Sequence, residues 1–201
     1  MNLKKLLISS IVVMAALSTQ VYAKELQAQV QKNTANANKA VKTSPVQAPS
    51  ATQAYPEISK LIEYNHCAEA DVKIRQLLNM KPNDINLLAL RAVSLAKQFK
   101  LDPAQKELDK LLKQYPKNPT LHYAQGLVFL QRTTSSDVDY IKNTRGLINS
   151  AIKEFVTAVT LNTKYYEAYN AMGVATLKLG NRNDALDLFN TCLLYTSPSP
   201  R

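Results

Sequence analysis

The sequence predicts an all-α fold, an α-solenoid of about four antiparallel helix hairpins, and two observations about its spacing support this. The first is a period of 34 residues with one insertion of 13, which is marked by Ala70, Ala104, Ala151 and Ala185. The second is a large apolar residue four positions after each alanine, namely Ile74, Leu108, Phe155 and Phe189. A period of this length indicates stacked supersecondary units, and a spacing of four places both residues on one helix face.

Apolar residues at helical spacing predict eight helices, which pair into four hairpins. These helices cover about 56–64 with 67–80, 84–98 with 103–114, 119–132 with 146–160, and 165–179 with 182–191. Pro82 and Pro116 each start the turn into the next hairpin, because proline stops the preceding helix. Asp102 and Pro103 predict a helix start, with Asp102 as the N-cap and Pro103 at the first helical position.

Two glycines, Gly126 and Gly173, fall on the first helices of the third and fourth hairpins. We expect each glycine to face the alanine of its partner helix, so that the two backbones approach closely. The large apolar residue one turn after that alanine then fills the space against the neighbouring hairpin. The predicted repeat-packing residues are Ala70, Ala104, Gly126, Ala151, Phe155, Gly173, Ala185 and Phe189.

Residues 1–23 have the pattern of a secretory signal peptide. Lys4 and Lys5 precede an apolar run at 6–17, and Ala23 ends a small-residue cleavage site. The run is short for a membrane span, although an uncleaved anchor is the alternative. We therefore expect cleavage after Ala23 and an exported protein, periplasmic or secreted, with only peripheral membrane contact.

Residues 24–54 are rich in Gln, Ala, Asn, Thr and Lys and contain no aromatic side chain. A segment of this composition buries too little apolar surface to offset the entropy of ordering. It is therefore predicted to be a disordered linker, with a dedicated binding segment as the alternative. The repeat domain is expected to cover 55–191.

The insertion of 13 residues lies within residues 132–146, between the two helices of the third hairpin. Ser136 and Asp139 have the spacing to cap a short extra helix that runs through Lys142. Because insertions in solenoids often carry binding residues, Asp137, Asp139 and Tyr140 are candidates for contact with a partner. The alternative is a tolerated loop extension without a function of its own.

The last ten residues, CLLYTSPSPR at 192–201, resemble the translation of a sequencing-library adapter. We therefore expect this stretch not to belong to the natural protein and the domain at 55–191 to be truncated. A genuine Ser/Pro tail is the alternative. In either case, apolar Leu193 and Leu194 can extend the last helix to about Tyr195.

The residue types and motifs of the chain argue against an enzyme active site. The chain has two histidines, His66 and His122, and its four glycines are scattered, without a nucleophile, metal-binding or phosphate-binding motif. We expect no enzyme activity, no cofactor and no metal, and a half-buried structural role for His122. The two cysteines, Cys67 and Cys192, are not expected to pair.

The net charge of +10 includes Lys4, Lys5 and Arg201, which lie outside the expected mature natural chain, and the other basic residues are scattered without interleaved aromatic residues. A moderate positive charge of this kind suits solubility and weak attraction to anionic surfaces. It does not indicate nucleic-acid binding or a small-molecule substrate.

The hairpins resemble the tetratricopeptide repeat family, whose pattern runs W-x2-L-G-x2-Y, then A-x3-F, then P. The fourth hairpin matches it with Tyr169, Met172, Gly173 and Thr176, the turn Gly180-Asn181, and then Ala185 and Phe189. The third hairpin matches it with His122, Gln125, Gly126, Phe129, Ala151 and Phe155. The first two hairpins keep fewer of these positions, and the first helix of all is the least certain.

The resemblance implies a concave groove that is lined by the first helices of successive hairpins. By the family pattern, the groove-facing residues are Asn86, Ala89, Leu90, Val93, Lys97, Tyr123, Ala124, Leu127, Gln131, Asn170, Ala171, Val174 and Lys178. Their small and apolar character, with Lys97 and Lys178 toward an edge, favours an apolar or amphipathic protein segment with acidic residues beside it.

Two functions agree with these features. The first is an exported protein–protein interaction scaffold that binds a peptide or helical segment of an envelope protein. The alternative is an accessory repeat module of a larger enzyme or cell-wall-processing protein, whose active domain lies beyond this sequence.

Overall fold

The computed structural model describes residues 49–196, and their side chains as far as Leu193. The predicted signal peptide and most of the predicted linker therefore lie outside the described residues. Within 49–196 the helices are α1 (Ala51–Ala54), α2 (Pro56–Glu63), α3 (Cys67–Met80), α4 (Ile85–Lys97), α5 (Leu101–Gln114), α6 (Pro119–Arg132), α7 (Val138–Lys142), α8 (Thr144–Leu161), α9 (Tyr166–Lys178) and α10 (Arg182–Thr196).

Helices that are consecutive in the repeat pack against each other as four hairpins: α2 with α3, α4 with α5, α6 with α8, and α9 with α10. Each first helix also packs on that of the next hairpin, α4 on α6 and α6 on α9. The repeat alanines Ala70, Ala104, Ala151 and Ala185 are all buried. The predicted all-α solenoid of about four hairpins is therefore confirmed.

Gly126 and Gly173 each make room for an aromatic ring, whereas the sequence predicted the alanine of the opposing helix as their partner. A Cβ added at Gly126 would lie 2.4 Å from Cε1 of Phe155, and one at Gly173 would lie 2.5 Å from Cε1 of Phe189. Each phenylalanine therefore packs against the glycine of its own hairpin. The ring occupies the space of the missing side chain, a contact that the predicted approach of glycine and alanine did not include.

The helix that was predicted to start at Pro103 starts two residues earlier. Lys100 occupies the N-cap position of α5, and Asp102 and Pro103 fall in its first turn. The earlier start allows Leu101 to be buried, at 7% exposed. Proline is tolerated in a first turn because the backbone N–H groups there have no helical partner.

An extra helix, α1, lies inside the segment predicted to be linker. Its N-cap is Ser50, whose hydroxyl accepts a hydrogen bond from the Gln53 N–H at 3.2 Å, while Gln53 Oε1 accepts one from the Ser50 N–H at 3.3 Å. Ser50 and Ala51 are both buried, and α1 packs against α2 and α4. The linker prediction is therefore wrong for this short stretch, and the ordered domain begins before residue 55.

Three turns between hairpin helices use left-handed backbone. Asn65 has φ 64°, Phe99 has φ 58° and Gly180 has φ 90°. Asn65 and Phe99 lie one 34-residue period apart, so the repeat is maintained in backbone conformation as well as in sequence. Glycine and asparagine adopt this region readily, whereas a phenylalanine there is unusual.

The insertion folds over one end of α6. It forms α7, whose N-cap is Asp137 and not the predicted Ser136, since Asp137 Oδ1 accepts the Asp139 N–H at 2.9 Å. Tyr140 receives a hydrogen bond from buried Arg132, whose guanidinium lies 5.1 Å from the tyrosine ring centroid. These contacts give Asp137 and Tyr140 structural roles.

Candidate partner-binding groove

The first helices of the hairpins surround a cavity of about 490 Å³. We call it the concave groove. Helices α2, α4, α6 and α9 all contribute to its lining, α1 lies at one side, and Cys192 of α10 reaches it. The groove is therefore built from every hairpin of the described array.

The structure brings most of the predicted groove residues together. The groove lining includes Ala89, Leu90, Val93, Lys97, Tyr123, Ala124, Leu127, Asn170, Ala171 and Val174. Asn86, Gln131 and Lys178 lie outside this lining. Asn86 is in the first turn of α4, and Gln131 and Lys178 stand in the last turns of α6 and α9, so all three fall near helix ends.

Sequence reasoning missed several lining residues. Ser59, Ile62 and Glu63 come from α2, where the repeat pattern is weakest, and Thr120 and Glu167 come from the first turns of α6 and α9. Glu167 had a usable signal, because it stands three residues before Asn170 and seven before Val174 on the same helix. That spacing places all three on one helix face.

An aromatic group lies beside the groove. The ring of Tyr123 is 5.9 Å from that of Phe155 and 5.2 Å from that of Tyr165, in tilted arrangements. Such geometry suits aromatic pairs and adds stability beyond the area that they bury. Burial raises the pKa of both Tyr123 and Tyr165, so both hydroxyls stay neutral at physiological pH.

The most unusual residue of the groove lining is Glu167, which is only 9% exposed. One carboxylate oxygen, Oε1, accepts a hydrogen bond from the Ser50 hydroxyl. The other, Oε2, is buried and has no hydrogen-bond partner among the described residues. Burial raises the pKa of Glu167, while the hydrogen bonds from the Ser50 hydroxyl and from the backbone N–H of Glu167 itself act in the opposite direction.

The predicted structural role of His122 agrees with its contacts. Its Nδ1 lies 2.7 Å from Glu154 Oε2, and its Nε2 lies 3.0 Å from the Pro116 carbonyl oxygen. These contacts join α6 to α8 and to the turn before α6. The hydrogen bond to Glu154 raises the pKa of His122, whereas burial lowers it.

Residues 49–196 contain neither a Cys67–Cys192 disulfide nor a candidate metal cluster nor a candidate membrane span. Cys67 and Cys192 are not joined by a disulfide. Between residues 49 and 196, no group of three or more His, Cys, Asp or Glu side chains is placed to hold a metal ion. No helix in this range is long and apolar enough to cross a membrane.

Known structures resemble this fold. A thermophilic TPR protein of Thermus thermophilus has a TM-score of 0.58 and 16% identity, covering 73% of this chain and 75% of its own. MamA of Desulfovibrio magneticus, from residue 41 to its end, has a TM-score of 0.45 and 15% identity, covering 73% and 75%. No family model matches the sequence, and no curated protein matches it. The likeness to the first structure, together with the 34-residue hairpins, shows that this chain has the tetratricopeptide repeat fold.

Proposed function

We propose that this protein is an exported protein–protein interaction scaffold, whose concave groove binds a peptide or helical segment of an envelope protein. The observation that carries the proposal is the groove itself, an open and largely apolar cavity formed jointly by α2, α4, α6 and α9. An open apolar groove of this kind suits an apolar or amphipathic segment. The signal-peptide pattern of residues 1–23 supports the export part of the proposal.

Val174 provides a direct probe of the groove. It lines the cavity and is 40% exposed, so its side chain can be changed without emptying the core. Leu186, which is 58% exposed on α10 and lies outside the groove lining, is a matched control. An exposed apolar side chain inside the groove is expected to contribute to binding of a segment there, whereas one outside the groove lining is not.

The test compares the full chain with its Val174→Asp and Leu186→Asp variants in cross-linking to an extract of envelope proteins. We expect a specific cross-linked product with the wild type and with Leu186→Asp, and its loss with Val174→Asp. An unchanged product with Val174→Asp would exclude the groove as the binding surface.

Export is tested separately by expressing the full chain in a bacterium and determining the mass of the protein in the extracytoplasmic fraction. The proposal predicts a chain that begins at Lys24. A cytoplasmic protein that keeps residues 1–23 would remove export from the proposal and leave the groove unaffected.

A further inference from the structure

We propose that the concave groove selects a partner segment that carries a positively charged side chain, lysine or arginine, and that this side chain pairs with Glu167, with Glu63 as a second acidic contact. The inference rests on the proposed function, since it names the chemistry of the segment that the groove binds. It differs from the expectation based on sequence, in which acidic residues of the partner meet Lys97 and Lys178.

The first support is the incomplete hydrogen bonding of Glu167. A buried carboxylate is costly unless it is paired or fully hydrogen-bonded. Ser50 satisfies Oε1, but Oε2 is without a hydrogen-bond partner within residues 49–196, although the residue is nine-tenths buried and lines the cavity. A lysine ammonium or an arginine guanidinium placed in the groove would supply the missing counter-charge, and a turn of the Glu167 side chain toward the cavity would bring the buried Oε2 within hydrogen-bond distance of it.

The second support is the balance of charge in the groove lining. Its charged residues are Glu63, Glu167 and Lys97, so carboxylates outnumber cations. After burial, the largest effects on the pKa of Tyr123 come from the charges of Glu167 and Glu63, and both raise it. The two carboxylates therefore act on the same part of the groove, next to the Tyr123 ring.

The positions of Lys97 and Lys178 do not favour a partner segment with acidic residues. Lys178 lies outside the groove lining, and Lys97 is the last residue of α4. A partner carboxylate would have Lys97 as its cationic contact in the described lining, and Glu63 and Glu167 would repel it. Like charges brought together in this way disfavour the wrong partner.

The usual role of an acidic residue in the first turn of a helix accounts for only part of the environment of Glu167, whose carboxyl group also accepts its own backbone N–H. Glu167 belongs to the first turn of α9, where a negative charge is favourable because of the helix dipole. The interaction with the helix dipole does not require a buried carboxylate, and most acidic side chains in first turns are hydrated. Glu167 is buried instead, and burial raises its pKa, as expected for a carboxyl group without a cationic neighbour.

The apolar lining suits the rest of such a side chain. Lysine and arginine have aliphatic stems that pack along apolar surfaces while the charged group reaches a polar partner. Leu90, Val93 and Val174 line the same cavity and provide that surface. The expected ligand is therefore an apolar segment that contains one basic residue.

The test selects short random peptides by display on the full-length protein and measures the affinity of the selected peptides for three variants. Glu167→Gln removes the charge and keeps the side-chain size and an acceptor for Ser50. Glu63→Gln makes the same change at an exposed position, so it does not depend on a buried contact. Glu69→Gln, on exposed α3 surface outside the groove lining, is the control.

We expect selected peptides to share one lysine or arginine among apolar residues. They should bind Glu167→Gln about tenfold more weakly, bind Glu63→Gln more weakly by a smaller factor, and bind Glu69→Gln as they bind the wild type. Peptides that lack a shared basic residue, or that bind Glu167→Gln as tightly as the wild type, would overturn the inference and leave the groove as a binding site. If no peptide is selected, peptide binding by the groove is itself contradicted.

Discussion

At the scale of single residues, Gly126 shows how closely the third hairpin is packed. A Cβ at this position would overlap the ring of Phe155, which is fully buried. At Gly173 the corresponding ring belongs to Phe189, which is only partly buried and can shift toward solvent. The same substitution is therefore expected to have different effects at two equivalent positions of the repeat.

We predict that Gly126→Ala destabilises the protein by about 1–2 kcal/mol, because overpacking outweighs the gain of about 1 kcal/mol in helix propensity. Gly173→Ala is expected to be close to neutral. Chemical denaturation of the two variants and the wild type measures both values.

A rescue variant separates overpacking from other causes. In a Phe155→Leu background the space beside Gly126 is larger, so adding Gly126→Ala should stabilise the protein. If Gly126→Ala costs the same free energy with and without Phe155→Leu, the packing explanation is wrong.

The repeat alanines and glycines could be predicted from sequence because their spacing is regular and because small residues at these positions allow the two helices of a hairpin to pack closely. The direct partner of each glycine could not, since spacing alone does not say whether Ala151 or Phe155 of the opposing helix lies nearer. Glu167 was also missed. Its spacing to Asn170 and Val174 indicated its helix face, but its hydrogen bond with Ser50, 117 residues away in the chain, has no signal in the repeat pattern.

At the scale of helices, polar contacts fix how neighbouring elements are joined. Ser94 of α4 and Gln98, which directly follows α4, donate to Asp71 of α3 at 2.6 and 2.8 Å. His122 and Glu154 connect α6 to α8, and this contact depends on pH. Since the Glu154 hydrogen bond raises the pKa of His122, the folded state favours the protonated imidazole.

The direction of the resulting pH dependence follows from linkage. A histidine with a folded-state pKa above its unfolded value contributes stability that is fully present below about pH 6.5 and is lost as the pH rises through the folded-state pKa. We predict that His122→Ala costs about 1 kcal/mol more near pH 6 than near pH 9.

Denaturation curves at both pH values test this prediction. Glu154→Gln is the partner control, because it should remove most of the difference between the two pH values. If His122→Ala lowers the free energy of unfolding by the same amount at both pH values, the imidazole contributes by packing alone.

The eight repeat helices could be predicted from apolar periodicity, whereas their exact ends could not. The start of α5 depends on whether Leu101 is buried, and that burial is decided by the neighbouring helices. Helix α1 is only four residues long, and its capping box together with the contacts of Ser50 and Ala51 stabilises it. Composition alone therefore predicted a linker at residues 51–54, whereas contacts with α2 and α4 stabilise one turn of helix there.

At the scale of the described domain, the 34-residue repeat places four first helices around one groove, and the central claim is that this groove binds a protein segment. The groove could be predicted because the tetratricopeptide pattern assigns its lining by position. Its acidic character could not, since it arises from Glu63 and Glu167 on the least regular helix and in a first turn.

Amide hydrogen exchange of the full chain, alone and with a display-selected peptide at saturation, shows directly whether a protein segment binds in the groove. Binding in the groove predicts slower exchange in α4, α6 and α9, and unchanged exchange in α3 and α5, whose residues are absent from the groove lining. Slower exchange in α3 and α5 without change in α4, α6 and α9 would place the binding surface elsewhere and show that the peptide does not bind in the groove.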